Sequence, residues 1–171
     1  MRGKTLVSFR RNRGEKQKSL TIFGSEYNKE YYSLQKKLTR EFYDMLIKNI
    51  RKNTYGFKLA PSTLYARRRK GISSTAPFIE TGDYIDAIFV DGVSVRIARG
   101  KHKPSGLLYT ELFTILEFGR RDRKIKARPV FRNTQKDFYP IAVKEFNELT
   151  SKYLVKGMKK INKANIKIAR L

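Results

Sequence analysis

Tyr27, Tyr31, Leu34, Leu38, Phe42, Leu46 and Ile50 recur at spacings of three and four. No other stretch limits the fold so strongly. At that spacing the residues share one side of a helix, and burying that side requires a second packed layer. Ser25 reads as the N-cap, and Glu26 and Glu30 suit the positive end of the helix dipole. Lys48, Arg51 and Lys52 suit the opposite end. Core packing accounts for the aromatic face better than a ligand stripe does.

A chain of 171 residues can build one such core and is short for two. Its charge is extreme: 39 Lys and Arg against 15 Asp and Glu leave +24. A surface of that kind repels itself, so a polyanion is the expected partner. Nucleic acid comes first, then an acidic protein surface or an anionic membrane. The absence of cysteine excludes disulfides, thiol catalysis and cysteine-ligated zinc. No apolar run approaches the roughly 20 residues that span a bilayer. The apolar stretch near the N-terminus is too short for a signal peptide, so synthesis in the cytoplasm is expected.

Composition and patterning divide the chain into a basic arm or hairpin (1–24), a single α+β domain (25–156) and a basic tail (157–171). In the arm, Leu6-Val7-Ser8-Phe9 and Leu20-Thr21-Ile22-Phe23 enclose a cationic segment. They form either a hairpin with a cationic tip or a basic arm that orders on assembly. Pro61-Ser62-Thr63 opens a short helix that leads into Arg67, Arg68, Arg69 and Lys70. Those four residues form either a solvated face or a surface for anions. Thr81 can cap a turn through Asp83, Tyr84 and Ile85. Strands over Ile85–Val90 and Val93–Ala98 then flank Asp91-Gly92, a two-residue hairpin signal. Val93, Val95 and Ile97 alternate with Ser94, Arg96 and Ala98, which predicts one buried and one wet face.

Residues 109–131 predict a second buried element that presents a cationic loop. Glu111, Thr114 and Glu117 form one polar stripe, and Leu112, Phe113, Ile115, Leu116 and Phe118 cover most of the remaining circumference. Gly119 stands where a helix-ending glycine belongs. Arg120, Arg121, Arg123, Lys124 and Lys126 follow, opposed only by Asp122. Pro129 then biases Arg128 toward an extended conformation. Phe138, Ala142, Phe146, Leu149 and Tyr153 continue a helix to about Lys156. Pro140 lies in its first turn or kinks a longer helix starting near Asn133. Beyond it, 151–171 holds seven basic residues and no acid, and reads as a solvated or polyanion-contacting tail.

Catalysis finds little support in these residues. His102, the only histidine, sits in a loop between two lysines and reads as exposed. Glu80, Asp83, Asp86 and Asp91 could gather around a metal, as nuclease carboxylates do. However, Asp83 belongs to a turn, and the hairpin accounts for Asp91. No glycine-rich phosphate loop is present. The chain is not expected to be an enzyme, and no cofactor or metal is expected.

The order of the short motifs carries more. Leu59-Ala60-Pro61-Ser62-Thr63-Leu64 with Arg67 to Gly71 comes first, then Pro77-Phe78-Ile79-Glu80-Thr81-Gly82. The Asp-Gly hairpin, Leu116-Glu117-Phe118-Gly119 and Ala127-Arg128-Pro129-Val130-Phe131 follow. Over about residues 57–150 this series resembles the neck and tail-completion proteins of tailed bacteriophages, also called head–tail joining or virion morphogenesis proteins. It departs from their pattern at Leu116, where many relatives carry histidine. It also departs at Val130, which is inserted before Phe131, and in the short hairpin.

The resemblance implies a long helix packed on a small, mainly antiparallel sheet. It implies a non-enzymatic subunit of a ring at the head–tail junction of the virion. The implied partners are further copies of the chain, the portal-connector, other neck and tail-tube proteins, and the genomic DNA passing through, with no membrane. Thr81, Gly82, Glu117, Phe118, Gly119, Arg128 and Pro129 become scaffold. Arg67 to Lys70, with Arg120, Arg121, Arg123, Lys124 and Lys126, become a surface for DNA or a neighbouring subunit.

Overall fold

The computed structural model describes residues 4–8, 24–73, 82–103, 105–121 and 125–168, with side chains from Gly24 through Met158 within those ranges. The fold is α+β, as expected. In chain order the elements are β1 (Lys4–Ser8), α1 (Gly24–Lys52), α2 (Pro61–Arg69), α3 (Asp83–Asp86), β2 (Ile88–Asp91), β3 (Ser94–Ile97), α4 (Tyr109–Phe118) and α5 (Val130–Ile168).

The periodic residues of α1 do form the core. Leu38, Phe42, Leu46 and Ile50 are almost completely buried, each worth about 1.5–3 kcal/mol of apolar transfer. They meet Ile88, Val95 and Ile97 from the sheet and Leu116, Val130, Phe131, Phe138 and Ala142 from α4 and α5. Phe42 lies edge-on to both Phe131 (5.5 Å) and Phe138 (5.6 Å), the favoured geometry for aromatic rings. The helix starts at Gly24, one residue before the expected Ser25 cap, with Gly24 at φ 77°. Its polar positions contribute what periodicity alone does not reveal. Buried Asn49 donates to Thr134 Oγ1 (3.0 Å) on α5 and to the Tyr55 hydroxyl (3.2 Å). Tyr55 in turn donates to Asp137 (2.7 Å). A satisfied buried network of this kind fixes the register of the two helices.

That register is antiparallel throughout. Asn49 meets Thr134, Lys37 meets Glu145 (3.1 Å), Glu30 meets Lys152 (2.7 Å) and Glu26 meets Lys156 (2.7 Å). The sum of partner positions is constant to within one residue. Tyr153 is buried between these last pairs, with its hydroxyl on Glu30 (2.9 Å). Burial and Glu30 together push that phenol up to about 12.

Lys156 and Lys152 hold Glu26 and Glu30 below the ordinary carboxylate value of 4.5. A depressed folded-state value contributes stability above 4.5 that is lost as pH falls through the folded value. Acidification below 4.5 is therefore expected to free this end of α5 before the core opens. Hydrogen exchange at 150–158 should rise while exchange at 38–50 stays slow. Equal loss at both places would show that the ion pairs do not hold this end.

Several expectations need correction. Asp91 pairs with Ser94, so the hairpin loop is Gly92-Val93 rather than Asp91-Gly92. Gly92 takes φ 61° and Val93 keeps a negative φ. This is the sign pattern of the hairpin turn with glycine first. Ile85 belongs to α3, not to a strand. Ser94 is buried beside Val95, and Arg96 is shielded and paired with Asp91 (2.9 Å), so the second face of β3 is not wet. The reason is topology: β3 is the central strand, with β1 and β2 antiparallel on either side. Part of the supposed arm thus belongs to the domain's sheet as β1; Leu20–Phe23 lies outside the described residues. α5 starts at Val130, takes Pro140 into its interior and runs to Ile168. The tail is helical through that point. No described helix is long and apolar enough to cross a membrane.

Candidate functional site

The site grows from the end of α4. Leu108, before its first turn, donates its N–H to the Glu111 carboxylate (3.0 Å), an acceptor from within the helix that starts the element. Leu116 is buried, while Leu112, Phe113 and Ile115 are half-buried. Phe118 is 63% exposed, so α4 is less enclosed than its composition implies. The proposed polar stripe also divides: Glu111 and Thr114 face solvent, whereas Glu117 is 1% exposed.

Glu117 is buried because it closes the start of another helix. Its carboxylate accepts the backbone N–H of Phe131 (2.7 Å) and of Arg132 (3.3 Å). These belong to the first turn of α5, where backbone donors lack partners within the helix. α5 has no acidic residue of its own in that turn. An anion thirteen positions earlier than Val130 therefore serves the positive end of its dipole. Arg132 returns the contact, donating from Nη2 to the Glu117 carbonyl (2.7 Å), with Nε 3.5 Å from the carboxylate. Its guanidinium lies 4.8 Å over the Phe118 ring, a cation–π contact that covers one face of that exposed aromatic. Burial pushes the Glu117 carboxyl up, and the donors of Phe131 and Arg132 offset this only in part.

Gly119 makes the closure possible. It takes φ 75° and ψ −178°, a region open essentially to glycine alone. A Cβ there would fall 2.7 Å from the Ile125 carbonyl oxygen and 2.9 Å from the Ala127 nitrogen. Arg120 and Ile125 exchange two backbone hydrogen bonds (2.8 and 2.9 Å), which pinches the cationic loop at its base. Arg128 N–H then donates to the Leu116 carbonyl (2.6 Å). Leu116–Gly119 and Ala127–Phe131 are thus two halves of one lock.

The other short motifs reach the same place. Tyr84 on α3 is buried, and burial together with the Glu117 carboxylate drives its hydroxyl strongly upward. Gly82, at φ 84°, supplies the N-cap of α3, whose backbone carbonyl accepts from Ile85 (2.8 Å). Thr81, the expected cap, lies outside the described residues. Arg128 is pushed down by burial and then by the nearby charge of Arg67. The basic end of α2 and the return of the basic loop therefore adjoin.

The expected cationic surface divides accordingly. Arg68, Arg69, Lys70, Arg121 and Lys126 are exposed. Arg67 is 4% exposed, which corrects its expected role: it is part of the scaffold rather than of the outward face. Arg120 is half-buried at the pinch, and Arg123 and Lys124 lie outside the described residues. Arg132 is the site residue that the sequence reading lacks. A cation in a helix's first turn opposes the dipole, and that conflict was the signal that an acid had to be nearby.

His102 also differs from expectation. It is 9% exposed, with Nδ1 2.8 Å from Ser105 Oγ and its ring 6.0 Å from that of Tyr109. Its backbone N–H donates to Leu107 and its carbonyl accepts from Ser105 and Gly106, so it folds its own loop. Among the described residues no three His, Cys, Asp or Glu side chains gather as metal ligands. Comparison with protein-family models, characterised proteins and solved structures gives no match.

Proposed function

We propose that this chain is a structural protein of a tailed-bacteriophage virion, a subunit of a ring at the head–tail junction, in the neck or at the tail terminus. The observation that supports this reading is the convergence around Glu117. The end of α4, the start of α5 and Tyr84 of α3 converge on Glu117, where the Phe131 and Arg132 N–H groups bind its carboxylate, and Arg67 at the end of α2 adjoins Arg128. Such a lock fixes the base of the basic loop at Arg120 and Ile125 and leaves Arg121 and Lys126 exposed, as a subunit placed beside DNA or an acidic neighbour requires. Exposed Arg68, Arg69, Lys70, Arg121 and Lys126 would neutralise phosphates without reading bases. The test is to image virions and to deplete the protein. Density for it in the neck, with filled heads and free tails on depletion, is expected. Joined, infectious particles lacking it would end this reading.

The net charge of +24 favours a second reading, a free, sequence-nonspecific nucleic-acid-binding protein. That reading requires the unassembled chain to bind naked duplex, with affinity falling steeply and linearly on a log–log salt plot. Negligible affinity at about 0.15 M salt would leave the assembly reading alone.

A further inference from the structure

The side of α1 turned away from α5 carries charge that the fold does not use. At about 100° per residue, Lys29, Lys36, Arg40 and Arg51 share a sector of about 60°, with Lys48 on its flank. All five are exposed. From Lys29 to Arg51 the row runs about 33 Å along the helix axis. Glu26, Glu30 and Glu41, three of the four acids of α1, are engaged by Lys156, Lys152 and Lys37. Only Asp44 is left beside the row, and it is exposed.

Among the described residues, none of the five cations takes part in an ion pair. Lys36 instead lies 4.7 Å over the Tyr32 ring. Arg51 belongs to the last turn, where the helix dipole favours a cation. Lys29, Lys36 and Arg40 lie too far from that end to gain from it. A solvated helix face draws support from opposite charges three or four residues apart, whereas here one acid faces five cations. At the C-terminal end of the row, Tyr43, Asp44, Ile47, Lys48, Arg51 and Lys52 line an open recess of about 480 Å³, so three cations rim one concavity.

We propose that this side of α1 is a contact surface for the phosphate backbone of duplex DNA, independent of sequence. A straight row of about 33 Å matches one turn of duplex, about 34 Å. Duplex DNA offers a negative charge for every ~1.7 Å of its axis, so each cation along the row meets phosphate without a fixed register. The proposal rests on DNA being the polyanion in the function above, and it adds α1 to the exposed cations of α2 and the basic loop. An anionic lipid surface fits less well. A helix lying on lipid buries exposed aliphatic side chains beside its cations, and the one aliphatic residue of this sector, Ile47, is already buried.

The test measures binding of the full chain to a duplex of about three helical turns across a salt series. Lys29→Gln/Lys36→Gln/Arg40→Gln removes three charges and keeps good helix formers. Lys101→Gln/Lys103→Gln/Lys136→Gln removes the same charge at exposed positions elsewhere. The α1 variant is expected to bind at least about tenfold more weakly at about 0.15 M salt, with a salt slope shallower by roughly 2.7. The matched variant should lose less than about threefold. Asp44→Asn should tighten binding about threefold, a gain that misfolding cannot produce. Equal losses in the two triple variants, or Asp44→Asn protein that binds no tighter, would overturn the assignment to α1 and leave DNA as the partner. Wild-type chain that leaves the duplex free, whether or not it binds phosphatidylglycerol vesicles, would remove the proposal together with DNA. Virion imaging then decides the ring reading separately.

Discussion

Replacing Gly119 by alanine is expected to cost about 3 kcal/mol or more, lowering the thermal midpoint by roughly 6–12 °C. Two causes act together. The backbone at φ 75°, ψ −178° disfavours any side chain, and the new methyl carbon would press on the backbone of Ile125 and Ala127 at 2.7 and 2.9 Å. Neither neighbour can yield as a flexible side chain would, because the Arg120–Ile125 pinch and the Arg128–Leu116 bond hold both. Gly157→Ala, in a helix with open space around the position, is the control and should be neutral or slightly stabilising. A Gly119→Ala protein melting with the wild type would show that the loop base has freedom this geometry denies.

Glu117→Ala is the second large effect, about 3 kcal/mol. It deprives the Phe131 and Arg132 N–H groups of their acceptor inside the protein and removes the carboxylate facing the Arg132 guanidinium. Glu117→Gln separates charge from shape. The wild-type carboxyl sits above its ordinary 4.5 because it is buried. Between 4.5 and that raised value the folded state holds a proton that the unfolded state has released. Lowering pH through this window therefore favours folding at Glu117, the reverse of the effect at Glu26 and Glu30. The glutamine variant should lose this rise, seen as a flatter stability curve just above 4.5. An identical pH profile in the two proteins would place the wild-type carboxyl at its ordinary value.

What the residues disclosed in advance, and what they hid, follows from the range of each interaction. The α1 core face, α2 with Pro61 in its first turn, and Gly119 as a helix terminator were legible because periodicity, φ restriction and Cβ sterics act locally. The partner of Glu117 was not legible. A glutamate at a three-residue spacing from Thr114 reads as solvent-facing, and only the fold brings the start of α5 over it. The inward turn of Arg67 stayed hidden for the same reason: a run of four cations does not reveal which one the neighbouring segment will cover. Ser94 looked wet because alternation cannot distinguish an edge strand from a central one.

The central position of β3 has a kinetic consequence. Its pairing with β2 closes across a two-residue turn, whereas its pairing with β1 joins residues 4–8 to 94–97 across roughly ninety residues of chain. Local contacts form early and distant ones late. The β2–β3 hairpin can therefore stand ready on α1 while β3 still has one open edge. Addition of β1 comes late, and until then that edge is a template for any extended strand nearby, including one from another nascent copy.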